Sequence, residues 1–180
     1  FFCLFCMSTL EYFCLNIYLK GDIFIKLFSS KNHMRDQKWL EERLEHMWML
    51  LFADIERKNT VVIKWKGKWK NKFGHIKMLK NKDTEIVVNS LLAHEKVPES
   101  MIDATIAHEL VHYMHGFQSP HPRLYKHPHA GGIVNRELKK RGFGHILAFE
   151  REFMRKDWLR IHRELVGQKN GQSFLQRFFG

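Results

Sequence analysis

The pattern of hydrophobic and polar positions divides the first half of the chain into one helix and three short strands. Apolar side chains recur every three or four residues over 36–56, which is the period of an amphipathic helix. Over 61–69 apolar residues alternate with lysines, as in a half-buried strand. Two further strands are predicted over 73–79 and 84–89. Because the connections between them are short, we expect an antiparallel three-stranded meander.

Helical patterns return in the second half of the chain. They cover 98–115, 133–141 and 146–165, with Pro98 near the first start and Gly116 and Gly142 as stop signals. The segment 117–132, rich in His, Pro and Gly, is predicted to be a loop. The order of elements predicts an α+β fold: an N-terminal helix, a small antiparallel three-stranded meander, a central helix and then C-terminal helices.

A length of 180 residues with 44% hydrophobic residues is enough for one folded domain, which we expect over 34–166. The stretch 167–180 is interpreted as a basic C-terminal tail. The apolar stretch 1–33 is interpreted as an N-terminal extension, to which we assign no function. Charges at Glu11, Lys20, Asp22 and Lys26 interrupt it, which argues against a membrane span, and it lacks the basic start of a signal peptide. We therefore do not expect membrane association, although an anchor is the alternative.

The balance of charge indicates acidic partners. The net charge is +11 with a pI near 9.7, and ten Lys or Arg residues but no Asp or Glu lie between 57 and 82. One interpretation is a nucleic-acid contact through this Lys-rich strand, near Trp65 and Trp69. The other is a solvated strand face whose lysines discourage edge pairing. The three cysteines, Cys3, Cys6 and Cys14, are not expected to form a disulfide framework, and a cytoplasmic location is expected.

The most specific chemical signal is H-E-x-x-H at 108–112, on the predicted helix 98–115. On a helix, residues four apart lie on one face, so His108 and His112 can bind the same Zn²⁺. Glu109 would then lie close enough to act as general base on a zinc-bound water. The flanking positions are largely apolar, which suits a metal site with little water.

A catalytic zinc usually has three protein ligands and one open position. His127 and His129, in the loop after the motif helix, are candidates for the third ligand. Glu137, on the next helix, is the candidate on a gluzincin-like plan. His115 and His121 are weaker candidates, since His115 lies only one turn beyond His112 and His121 is held between two prolines.

Three segments together resemble the SprT-like zinc metallopeptidases. They are E-I-V-V-N-S-L-L at 85–92, A-T-I-A-H-E-L-V-H at 104–112 and H-A-G-G-I at 129–133, the last followed by R-G at 141–142. The resemblance covers about 36–145 and implies that His129 is the third ligand. It departs from the family pattern at Val88, at Ala130 and at Ile133, and no Cys-rich zinc ribbon follows the motif.

The resemblance implies a zinc-dependent endopeptidase acting on protein substrates, including DNA-associated proteins. His108, His112 and His129 would bind Zn²⁺, and Glu109 would move the proton. Two alternatives stay open. One is a nucleic-acid-binding module with a structural, non-catalytic zinc site, which would not need Glu109. The other is a gluzincin-type peptidase with Glu137 as the third ligand.

Overall fold

The computed structural model describes residues 35–167 as an α+β fold. The predicted extension 1–33 lies outside these residues, as does the predicted tail except for Gly167, which is still helical. The elements follow the predicted order. They are α1 (Gln37–Leu51), β1 (Val61–Trp65), β2 (Gly74–Met78), β3 (Thr84–Val88), α2 (Glu99–Met114), α3 (Ile133–Lys140) and α4 (Gly144–Phe153).

Helix α1 begins at a side-chain cap. The carboxylate of Asp36 accepts a hydrogen bond from the backbone N–H of Trp39 at 2.8 Å, which satisfies one of the free amides of the first turn. The helix ends at Leu51, earlier than the predicted 56. Its buried residues follow the predicted period, and they are Leu40, Leu44, Met47 and Trp48.

The sheet is mixed, so the predicted antiparallel meander is wrong. The strand order is β1-β3-β2, with β3 parallel to β1 and antiparallel to β2. Strand β1 ends at Trp65 rather than at 69, because Gly67 has a φ of +78° and turns the chain. The connection 66–73 carries β2 past the position of β3, which then pairs between the other two strands. All five residues of β3 are buried, as expected for a central strand.

Helix α2 lies at the centre of the fold. It contacts β2 and β3 on one side and α1, α3 and α4 on the others, and most of its residues are buried. The guanidinium of Arg43 on α1 makes two hydrogen bonds of 2.5 Å to the carboxylate of Asp103 on α2. Packing from several directions therefore determines where α2 presents its side chains.

The C-terminal helical region packs against the connection 66–73, which joins β1 to β2. After α4 the helix passes through a π-helical turn, Met154–Trp158, and continues to 167. The indole N–H of Trp158 donates to the carbonyl oxygen of Lys70 at 2.6 Å, and its ring lies 4.9 Å from that of Phe73. These contacts join the connection 66–73 to the helical half of the molecule.

Candidate metal and active site

The two histidines of the motif lie on the same face of α2. Their ring centroids are 4.8 Å apart, as the spacing of four residues predicts. His112 is buried and His108 is half-buried. Helix α2 ends at Met114, where the chain turns through Gly116 with a φ of +75°. A Cβ at Gly116 would lie 2.4 Å from the carbonyl oxygen of Pro122, so this turn requires glycine.

His129 joins this pair from the loop that precedes α3. Its ring centroid lies 5.3 Å from that of His108 and 4.7 Å from that of His112. One ring nitrogen from each of the three histidines lies within 4.8 Å of the other two. The short 3₁₀ turn Ala130–Gly132 and helix α3 follow immediately and hold the loop at this position. The structure thus brings together the three predicted ligands.

The residues fit a metal ion. The Nδ1 atom of His112 is buried without a hydrogen-bond partner among the described residues, so no other protein group engages this ring nitrogen. Burial and the charge of His129 lower the pKa of His108 to about 4. Burial and the neighbouring histidines lower the pKa of His112 to about 3. Both rings are therefore neutral near pH 7, which is the form that binds metals.

Glu109 lies beside the three histidines and faces the sheet. Its side chain is buried, and burial raises its pKa to about 8 against the opposing effects of the Lys72 charge and a hydrogen bond from the Ile76 backbone. Gly74 lets the carboxylate approach β2. A Cβ at Gly74 would lie 2.6 Å from Cγ2 of Thr105 and 3.2 Å from Oε1 of Glu109. The lack of a side chain at Gly74 thus makes room for Glu109.

A pocket of about 370 Å³ opens in front of the three histidines. Strand β2 and the residues before it form one wall, the metal-site residues form the floor and the loop after α2 forms the other wall. Its lining residues are Lys72, Gly74, His75, Ile76, His108, Glu109, His112, Phe117, Gln118, Pro128 and His129. The pocket is large enough for part of an extended peptide or a small molecule.

The other candidate ligands lie elsewhere. Glu137 accepts a hydrogen bond from the Arg141 guanidinium at 3.0 Å, and Arg141 also binds the carboxylate of Asp54. His121 contacts the carbonyl oxygen of Glu56 through Nε2 at 2.9 Å. The cluster of possible ligands within 35–167 contains none of the alternatives Glu137, His127, His115 and His121.

Sequence reasoning missed the pocket roles of Lys72 and Gly74. The sequence pattern groups Lys72 with the other lysines of the basic stretch, whereas it lines the pocket and its charge acts on Glu109. A glycine at the start of a strand pattern is a usable signal for Gly74, because such a glycine often marks a close approach of another group. For Lys72 no local signal exists.

No protein-family model, no curated protein and no solved structure matches this chain. Within residues 35–167, none of the helices is both long enough and apolar enough to cross a bilayer.

Proposed function

We propose that this protein is a zinc-dependent metallopeptidase that hydrolyses peptide bonds in protein substrates. The observation that carries the proposal is a buried carboxylate, Glu109, next to three clustered histidines at the floor of an open pocket. Three neutral imidazoles are a common ligand set for catalytic zinc, which keeps a further position open. A structural zinc site would have four protein ligands and would not need Glu109.

In the proposed reaction, His108, His112 and His129 would hold a metal ion. A zinc ion there would supply Lewis acidity to activate a water molecule and polarise the scissile carbonyl. The positive charge of that ion would favour the ionised form of Glu109. The Glu109 carboxylate then accepts a proton from the attacking water and later donates it to the nitrogen of the leaving amine. The Ile76 backbone also favours the ionised form of this group, against the effect of burial.

The position of β2 suits a polypeptide substrate. Strand β2 is at the edge of the sheet and two of its residues, His75 and Ile76, line the pocket. An edge strand can pair with an extended peptide and so hold it beside the metal. Protein substrates, including DNA-associated ones, are also what the resemblance to SprT-like peptidases implies.

The substitution Glu109→Gln tests the proposal. The amide keeps the shape of the carboxylate but cannot accept a proton, so the variant should bind zinc as the wild type does. Its turnover of an unstructured protein such as casein should fall by about 10²- to 10⁴-fold. Glu95→Gln, the same change at an exposed position, is the matched control and should keep full activity. Undiminished cleavage by the zinc-loaded Glu109→Gln protein would exclude the mechanism.

Zinc content distinguishes the ligand sets. We expect His129→Ala to lose most of its bound zinc, whereas Glu137→Ala should keep it, because Glu137 is engaged by Arg141. The measurement is metal analysis after dialysis against a buffer containing trace zinc. Loss of metal in the Glu137 variant alone would favour the gluzincin-like arrangement instead.

A further inference from the structure

The pocket contains one lysine that the proposed reaction does not use. Among the residues of 35–167 that line it, Lys72 and Glu109 are the only ones with a side chain of the Lys, Arg, Asp or Glu type. Two other lysines of the sheet, Lys64 and Lys77, form ion pairs with Glu85. Within the described residues, no carboxylate lies within ion-pair distance of the Lys72 ammonium group, whose nearest ring contact is Trp69. Its charge is thus available at the pocket.

The segment that carries Lys72 is held by contacts at several points. The buried side-chain amide of Asn89 donates to the carbonyl oxygens of Trp69 at 2.7 Å and of Lys72 at 2.9 Å. The indole of Trp158 donates to the carbonyl oxygen of Lys70. The ammonium of Lys72 lies 4.9 Å from the centroid of the Trp69 ring. The backbone and the charged end are therefore both positioned in the absence of a substrate.

The charges around the pocket favour an anionic group. A divalent ion on the three histidines would add positive charge to that of Lys72. Within the part of the chain that the structure describes, Glu109 is the only acidic side chain that lines the pocket. A carboxylate near the Lys72 ammonium would make a charge-assisted hydrogen bond with it. Because Lys72 is exposed at the pocket mouth, this attraction should weaken as salt concentration rises.

We propose that Lys72 recognises a carboxylate of the substrate, so that the protein prefers peptides with a carboxylate beside the scissile bond. This inference rests on the proposed peptidase function. The carboxylate can come from an Asp or Glu side chain within the chain or from the C-terminus of a short peptide. Both sources present the same group to Lys72. Peptides with a free or an amidated C-terminus distinguish them.

The test uses matched fluorogenic peptides that differ only in Glu or Gln near the cleavage site. Each is made with an amidated and with a free C-terminus, and kcat/KM is measured for the zinc-loaded full chain. We expect the wild type to prefer the carboxylate-bearing peptide by about 10-fold or more at low salt. A preference that follows Glu in amidated peptides identifies the side chain, and one that follows the free end identifies the C-terminus.

Three variants show whether Lys72 causes the preference. Lys72→Met keeps most of the length of the side chain without its charge and should abolish the preference, while Lys72→Glu should reverse it toward a Lys-bearing peptide. Lys70→Met, an exposed neighbour that does not line the pocket, is the control and should keep it. Removing the Lys72 charge also changes the pKa of Glu109, and this affects the cleavage of every substrate. The kcat/KM of each variant for the Glu peptide is therefore divided by its kcat/KM for the Gln peptide.

A binding measurement separates this inference from the proposed activity. The Kd values of the labelled peptides are measured by fluorescence anisotropy on zinc-loaded Glu109→Gln protein, with Lys72 intact or changed to Met. We expect carboxylate-dependent binding that needs Lys72, whether or not any peptide is cleaved. Equal affinity for the Glu and Gln peptides and for both C-termini, or a preference that survives in Lys72→Met, would overturn the inference. Absence of cleavage by the wild type with carboxylate-dependent binding intact would count against the peptidase proposal alone.

Discussion

At the scale of single residues, the site combines three neighbouring side chains of one helix with a histidine from a later loop. His108, Glu109 and His112 could be predicted from the sequence because the helical period alone determines how they lie relative to one another. The approach of His129 depends on the loop 115–132 and on α3, which no local pattern specifies. Its assignment rests on the resemblance of residues 129–133 to a family motif, and the ring distances agree with it.

Glu85 shows how a buried charge is balanced in this protein. Burial alone would raise its pKa, but hydrogen bonds and charges from Lys64 and Lys77 outweigh that effect and lower it below the usual 4.5. Its ion pairs therefore stabilise the fold above pH 4.5, and this contribution is lost as the pH falls through the lowered pKa.

We predict that Glu85→Gln lowers the free energy of unfolding by roughly 1–2 kcal/mol at pH 7, because both lysine partners are partly exposed and water screens part of the interaction. The difference in stability between this variant and the wild type should shrink as the pH is lowered below 4.5. Glu85 of the wild type then becomes protonated and is neutral, as the glutamine is. Urea unfolding at a series of pH values measures this. Glu95→Gln, at an exposed position, should show no such trend. A stability difference for Glu85→Gln that stays constant down to pH 3 would contradict the explanation.

At the scale of elements, the types and approximate bounds were predictable but the pairing of the strands was not. The sequence predicts the motif helix over 98–115, and the helix extends over Glu99–Met114. Strand order depends on where the connection 66–73 runs, and its path is determined by Asn89 and by Trp158, which bonds Lys70 from 88 positions away. Such contacts between distant residues leave no periodic signal. The same contacts place Lys72, which explains why its position was missed.

The contact between β2 and α2 gives a prediction at this scale. Gly74→Ala should destabilise the fold by about 1–3 kcal/mol, because the new methyl group would lie 2.9 Å from the carbonyl oxygen of Val87 as well as against Thr105. It should also reduce peptide cleavage, since the methyl group crowds Glu109. Thermal unfolding and a cleavage assay on the folded protein measure the two effects.

The control for this substitution is Gly144→Ala. The nearest atom to a methyl group added at Gly144, Cγ of Lys139, would be at an ordinary contact distance of 3.6 Å. The residue begins α4, where alanine is a better helix former than glycine, so stability should be unchanged or slightly higher. Equal effects at the two glycines would show that the close approach at Gly74 is not important.

At the scale of the whole molecule, the three histidines connect two parts of the fold. His108 and His112 lie on the central helix, and His129 lies in the loop that leads to α3. A ligand that binds only the folded state stabilises it by an amount that grows with its concentration, about 2.7 kcal/mol at one hundred times its Kd. Metal binding should therefore be visible in the stability of the whole domain.

We predict that a chelator lowers the Tm of the zinc-loaded protein by roughly 5–10 °C. The Glu109→Gln variant should show the same loss, because it keeps all three ligands, whereas His129→Ala should show little. Differential scanning calorimetry with and without chelator measures the shift. If the Tm of the wild type does not respond to zinc or to the chelator, the three histidines do not form a metal site of useful affinity.

The basic stretch gives a separate prediction about nucleic acid. Lys66 and Lys70 lie in the exposed connection after β1 rather than on the strand, whereas Lys64 and Lys77 are paired with Glu85. If this surface binds DNA, the double variant Lys66→Gln/Lys70→Gln should reduce the slope of log K against log salt by about 2. Titration of a labelled duplex at several salt concentrations measures it. Binding with an unchanged slope would place the contact elsewhere.

The most direct test of the central claim is a crystal structure of the zinc-loaded protein, with the metal identified by anomalous scattering at the zinc edge. We predict one zinc ion bound by ring nitrogens of His108, His112 and His129, with a further coordination position open to the pocket beside Glu109. Zinc bound by Glu137 or His127 in place of His129, or a fourth protein ligand that closes the site, would contradict it.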